Sequence, residues 1–129
     1  MKVLRAWLPA IVWMVVIFFL SGRESTQVSD AQLINFLFFK TLHVIEYAIL
    51  FALYVIAIGI NNFAAAFLLT LIFAMTDEIH QLFVPTREGR ARDVIIDTLG
   101  ALLSWILISR LLPKAPKKLR ALAKSWGIG

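Results

Sequence analysis

Residues 6–20 pass without a single charge, and further apolar stretches follow at about 41–59, 63–84 and 93–112. With their flanking turns, each approaches the roughly 20 residues that carry a helix across a hydrocarbon core of about 30 Å. The chain is therefore expected to be all-α, a polytopic membrane four-helix bundle. Lys2 and Arg5 ahead of the first stretch are similar to the start of a secretory signal. No A-x-A-like cleavage site follows at Ser21-Gly22-Arg23, and three spans lie downstream, so the first stretch is expected to stay as a helix. Pro9 falls in its first turns, where a missing backbone donor matters least.

Composition agrees with this frame. Of 129 residues, 60% are hydrophobic and 16% charged, whereas apolar residues make up about half of an ordinary soluble domain. There are no cysteines, which excludes disulfides, thiolate metal sites and thiol catalysis. The net charge of +5 does not point to nucleic acid, because the basic residues flank apolar spans rather than cover a polar surface. Residues 1–112 read as one four-span transmembrane domain and 113–129 as a basic tail carrying Lys114, Lys117, Lys118, Arg120 and Lys124. With four spans the two termini share a side, and that side holds eight basic residues against five on the other. Both termini are expected to be cytoplasmic, with the tail against anionic lipid.

The connections carry their own signals. Residues 22–30 form a polar loop, and Asp30 is placed to cap the helix that follows. The aromatic-rich segment 31–39 is expected to lie in the interface before the second span begins near Thr41. Gly59-Ile60-Asn61-Asn62 has the chemistry of a tight turn. Tyr54 and the tryptophans Trp7, Trp13, Trp105 and Trp126 are read as packing or interface anchors.

Against this background, residues 77–97 stand out. Asp77, Glu78, His80, Gln81, Arg87, Arg90, Arg92, Asp93 and Asp97 fall within about twenty residues of an apolar chain. Ionisable groups at membrane depth are costly, so such a cluster is a functional-site hypothesis by default. The second span adds Lys40, His43, Glu46 and Tyr47. At 1.5 Å per residue, Glu46, Asp77 and Asp97 lie about 20–22 Å from the inner ends of their helices. His43, His80 and Asp93 lie about 24–27 Å out by the same count. These are two polar layers in the outer third of the membrane. On the fourth span, Arg90, Asp93, Asp97, Gly100, Ala101 and Ser104 share one stripe, charged above and small below.

The chemistry of these residue types admits several readings. His43, Glu46, Asp77 and His80 are the candidate acid–base groups, and the same four are the ligands if a divalent metal is the cofactor. Tyr47, Glu78, Gln81, Arg87, Arg90, Arg92, Asp93 and Asp97 are candidate ligand-binding residues, the guanidinium forks suiting phosphate oxygens. Asp93 and Asp97 also have a structural reading, as partners of Arg90 and Arg92. No Gly-rich phosphate loop, G-x-S-x-G elbow or His-Glu-x-x-His motif occurs.

The runs His43-Val44-Ile45-Glu46-Tyr47-Ala48-Ile49-Leu50, Asp77-Glu78-Ile79-His80-Gln81-Leu82-Phe83-Val84-Pro85-Thr86-Arg87 and Arg92-Asp93-Val94-Ile95-Ile96-Asp97-Thr98-Leu99-Gly100 resemble the VanZ-like membrane proteins. The resemblance spans about residues 15–107 and includes Phe19-Leu20-Ser21. It implies a small bacterial inner-membrane protein of a family named for a member that lowers susceptibility to the glycopeptide teicoplanin. It also implies a signature at His43, Tyr47, Asp77, Glu78, Gln81, Pro85, Arg87, Asp93 and Gly100. Asp97 departs from the many relatives that carry Asn there, which makes this site more acidic. The expected partner is a membrane lipid or a lipid-linked envelope precursor, held in an outward-facing pocket. The alternatives are a lipid hydrolase or transferase, and a proton-coupled transporter, which in so small a bundle requires an oligomer.

Overall fold

The computed structural model describes residues 2–23, 30–85, 87 and 89–125. Among them it is all helical: α1 (Lys2–Ser21), α2 (Gln32–Ile58), α3 (Phe63–Gln81), α4 (Ala91–Ile106) and a short α5 (Lys117–Ser125). A π-turn (Leu107–Leu111) and a 3-10 turn (Leu112–Lys114) prolong α4. Four helical stretches are long and apolar enough to cross a membrane: Val3–Ser21, Gln32–Ile58, Ile60–Gln81 and Ala91–Lys114. The chain is thus a multi-pass membrane protein by length and composition. Most of the loop expected at 22–30, and the anchor at Trp126, lie outside the described residues.

Two expectations need correction. The second span does not begin near Thr41 after an interfacial segment; α2 is a single 27-residue helix from Gln32. Nothing between 31 and 58 interrupts the backbone ladder, since neither Gly nor Pro occurs there. The Thr41 hydroxyl donates to the Leu37 carbonyl at 2.8 Å, so the polar residue at the supposed break is satisfied inside the helix. At 1.5 Å per residue, α2 is about 40 Å long and overshoots a 30 Å core. Asp30 is also not the capping residue: the N-cap is Ala31.

The bundle is inside-out relative to a soluble one. Val15, Phe19, Leu68, Ile72, Met75, Ile95 and Leu99 are exposed, whereas Asp77, Asp97, Thr70 and Tyr47 are buried. Apolar side chains gain nothing by leaving lipid, so small residues and polar groups take the interior. At the end of the bundle away from the acids, Trp105 stacks on Phe51 and Phe63, with centroids 6.1 and 5.8 Å apart. Trp7 tilts against Tyr54 at 5.9 Å, and the buried Tyr54 hydroxyl meets the Met14 sulfur at 3.1 Å. Trp7, Trp105 and Tyr54 are therefore packing groups. Gly59, with φ of 94°, reverses the chain between α2 and α3 in a conformation that only glycine adopts without strain.

Candidate functional site

The polar residues sort into three groups. The first clamps the helices. Gly100 on α4 lies so close to α2 that a Cβ there would run into the Val44 carbonyl and sit 3.0 Å from the Ala48 nitrogen. Toward the N-terminal end of both helices, Lys40 Nζ lies 2.8 Å from Asp93 Oδ2, where Arg92 Nε also approaches the carboxylate at 3.6 Å from Oδ1. Pairs 40–93, 43–97 and 44–100 rise together, so α2 and α4 run parallel. This register sets Asp97 opposite His43 rather than Glu46, about one turn from the layering counted from helix ends. The close approach at Gly100 fixes it. Glu78 completes the clamp: its carboxylate accepts from the Arg90 backbone N–H at 2.8 Å, at the start of α4. A carboxylate there suits the free amides and positive end of the helix.

The second group centres on Asp77, which is fully buried. Ser21 of α1 donates its hydroxyl to Oδ1, while Gln81 Nε2 and Tyr47 Oη donate to Oδ2 at 3.1 and 3.4 Å. His80 Nδ1 stands 4.0 Å from Oδ1, and its ring stacks on Phe18 at 3.7 Å. One carboxylate thus gathers three helices. The spacing Asp77-Gln81 makes the local bond at i, i+4; the others depend on packing.

The third group lines a cavity of about 200 Å³ between the C-terminal end of α1 and the first half of α2. Its walls are Leu20, Ser21, Phe39 and Leu42, with His43, Glu46, Arg23 and Arg87 as the ionisable members. His43 Nδ1 lies 3.6 Å from both Glu46 Oε2 and Asp97 Oδ1. Those contacts are longer than hydrogen bonds. Nδ1 and both Asp97 oxygens are buried without a hydrogen-bond partner. The ring therefore turns Nδ1 toward the carboxylates and another edge to the cavity. Arg87 Nε donates to the Arg23 carbonyl at 3.0 Å, which ties Arg87 to the backbone just past α1, while the Arg23 guanidinium lies 4.8 Å over the Phe19 ring. On α1, Trp13 Nε1 donates to the Glu46 carbonyl at 2.9 Å and seats α1 against this stretch of α2.

A family model described as VanZ/LLP1 matches residues 6–112, most of the chain. The chain belongs to the VanZ/LLP1 family. No curated protein and no solved structure matches it. The VanZ/LLP1 segment contains most of α1, all of α2 to α4 and all three polar groups, and α5 lies beyond it.

Within that segment the candidates fall apart by position. His43, Glu46 and Arg87 line the cavity, with Asp97 behind His43. Tyr47, Gln81 and His80 attend Asp77. Glu78 and Asp93 hold helix ends together, and Arg92 is an exposed residue stacked 5.2 Å over Phe36. Arg90 offers its backbone rather than its side chain to Glu78, and its residue is exposed. Among the described residues, no three His, Asp or Glu side chains are grouped to hold a metal ion. His43, Glu46, Asp77 and His80 divide instead between the cavity and the Asp77 cluster. Sequence reasoning passed over Ser21, Arg23 and Phe18 as site residues. The signal for Ser21 was available: it is the polar residue closing an apolar span. Chemically, the arginines that line the cavity can attract an anion, and an imidazole flanked by carboxylates can move a proton.

Proposed function

We propose that this VanZ/LLP1 chain is a cell-envelope protein of the bacterial inner membrane that binds an anionic lipid or a lipid-linked envelope precursor in an outward-facing cavity. One observation carries the reading. Leu20, Phe39 and Leu42 share a single cavity with Arg23 and Arg87, apolar and cationic surface side by side. An anionic amphiphile offers the matching surfaces. The side on which it opens follows from the excess of basic residues around the termini. A reporter fused after residue 129 is expected to read cytoplasmic, and a periplasmic signal reverses the orientation. The resemblance to a family named for glycopeptide resistance supports a role in the envelope.

Native mass spectrometry of the protein extracted from its membrane tests the binding. Anionic lipid is expected to stay with the wild type. The double variant Arg23→Ala, Arg87→Ala is expected to retain about tenfold less or lower still, as loss of charge-assisted hydrogen bonds implies. Equal retention by both proteins removes the head-group assignment. A second reading, lipid hydrolysis or group transfer, is favoured by His43 standing 3.6 Å from both Glu46 and Asp97. In that reading His43 is the proton acceptor and Glu46 the second acid–base group. Lipid substrate recovered intact after incubation with the wild type rejects it.

A further inference from the structure

We infer that α5 is an in-plane helix that binds the anionic surface of the leaflet on the side of the termini, its leucines among the acyl chains and its cations on the head groups. This surface lies at the end of the bundle away from the cavity, and the inference is independent of the reading proposed for that cavity.

The connection to α4 is the first argument. The span Ala91–Lys114 has 24 residues, about 36 Å of helix, which outlasts a hydrocarbon core of about 30 Å. Its end therefore stands at the membrane boundary. Pro116 disfavours helical backbone in the residue before it, and Ala115 is extended, with φ of −70° and ψ of 158°. The helix axis breaks there, so α5 does not continue the span. Instead Ala123 shares an apolar crevice of about 300 Å³ with Leu107, Ile108, Leu111, Leu112 and Ala115. α5 thus lies back against the last turns of the span, beside the exposed, lipid-facing Leu107 and Leu111.

The pattern of α5 is the second. At 3.6 residues per turn, Leu119, Leu122 and Ala123 fall within about 100° of arc, and Lys117, Lys118, Arg120 and Lys124 surround the rest. Leu119 and Leu122 are 53% and 49% exposed, so no described element of the bundle covers that face. A helix of nine residues is too short to hold its shape in water without a surface to pack on. A basic amphipathic helix finds that surface where acyl chains meet head groups.

Charge selects the occupant. No Asp or Glu occurs in residues 1–23, 47–76 or 98–129, which contain that whole end of the bundle. Lys114 and the four cations of α5 have no side-chain carboxylate nearby to pair with. Anionic lipid supplies the missing counter-charge.

The chain has no cysteine, so a single one can carry a fluorophore at Leu122, on the apolar face, or at Ala121, among the cations. The full-length Leu122→Cys and Ala121→Cys proteins are compared in nanodiscs of phosphatidylcholine alone and of an equal mixture with phosphatidylglycerol. Acrylamide serves as a neutral quencher in the water. In the anionic discs quenching is expected to be about threefold weaker or more at 122 than at 121, as burial of one face implies. In the neutral discs quenching at 122 is expected to rise about twofold. Adding Lys117→Gln, Lys118→Gln, Arg120→Gln and Lys124→Gln together is expected to remove that dependence on lipid. Equal quenching at 121 and 122 in anionic discs overturns the in-plane helix. Protection at 122 that is the same in both discs overturns the anionic contact and leaves the face covered by apolar contact alone. A lipid dependence that survives the four substitutions overturns the role of these cations.

Discussion

Gly100→Val is expected to destabilise the bundle by about 3 kcal/mol or more, the upper range of overpacking effects. A Cβ at this position has no room: it meets the Val44 carbonyl and the backbone of Ala48, neither of which is a flexible side-chain end. Relief requires α4 to back away from α2. That separates Lys40 from Asp93 and His43 from Asp97, which depend on the same register. Even Gly100→Ala is expected to lower the midpoint measurably. Leu99→Ala is the control, because Leu99 is exposed at 47% on the outer face of the same helix. The midpoint of thermal unfolding in detergent separates the cases. A Gly100→Val protein as stable as the Leu99→Ala protein contradicts the close approach of α2 and α4.

Asp77→Leu is expected to cost about 4 kcal/mol, two stranded donors at about 1–3 kcal/mol each plus repacking. Tyr47 and Gln81 both lose their acceptor deep in the bundle. Ser21 is spared, because the Phe18 carbonyl lies 3.2 Å from its hydroxyl and remains available. Asp77→Asn keeps one oxygen and is expected to cost roughly half as much. Its new amide donor competes with the amide of Gln81, which is why rescue is incomplete. The order wild type, Asn, Leu in unfolding midpoint is the prediction. An Asn variant no better than Leu assigns the effect to charge rather than to hydrogen bonding.

Periodicity explains why so much of the fold could be read from the chain. Thr70, Ala74, Asp77, Glu78 and Gln81 recur on one face of α3, and Asp93, Asp97, Gly100, Ala101 and Ser104 on one face of α4. All of them are buried, whereas Arg90, read onto the same α4 stripe, is exposed at the residue before the helix begins. A helix repeats every 3.6 residues whatever surrounds it, so these stripes are a local property. The partners are not local. That Glu78 meets the start of α4, or that Lys40 rather than Arg90 meets Asp93 most closely, depends on how the helices dock. Depth counting slipped by about one turn between α2 and α4 for the same reason, since it measured from helix ends whereas Gly100 sets the register. The α2 break was misjudged because segment 31–39 changes character without containing a residue that stops a helix. Ser21 and Arg23 were passed over because α1 looked like plain apolar span, although its C-terminal end supplies a wall of the cavity.

The central claim, that an anionic amphiphile occupies the cavity between α1 and α2, is tested most directly by position-resolved cross-linking in membranes of mixed lipid. A photoreactive side chain at Leu42 samples the cavity wall, and one at Ile72 samples the exposed face of α3. Adducts from position 42 are expected to be enriched in anionic lipid and to lose that enrichment when Arg87 is replaced by Ala, while adducts from position 72 follow the bulk composition. Identical adducts from the two positions, both matching the bulk, would contradict the account.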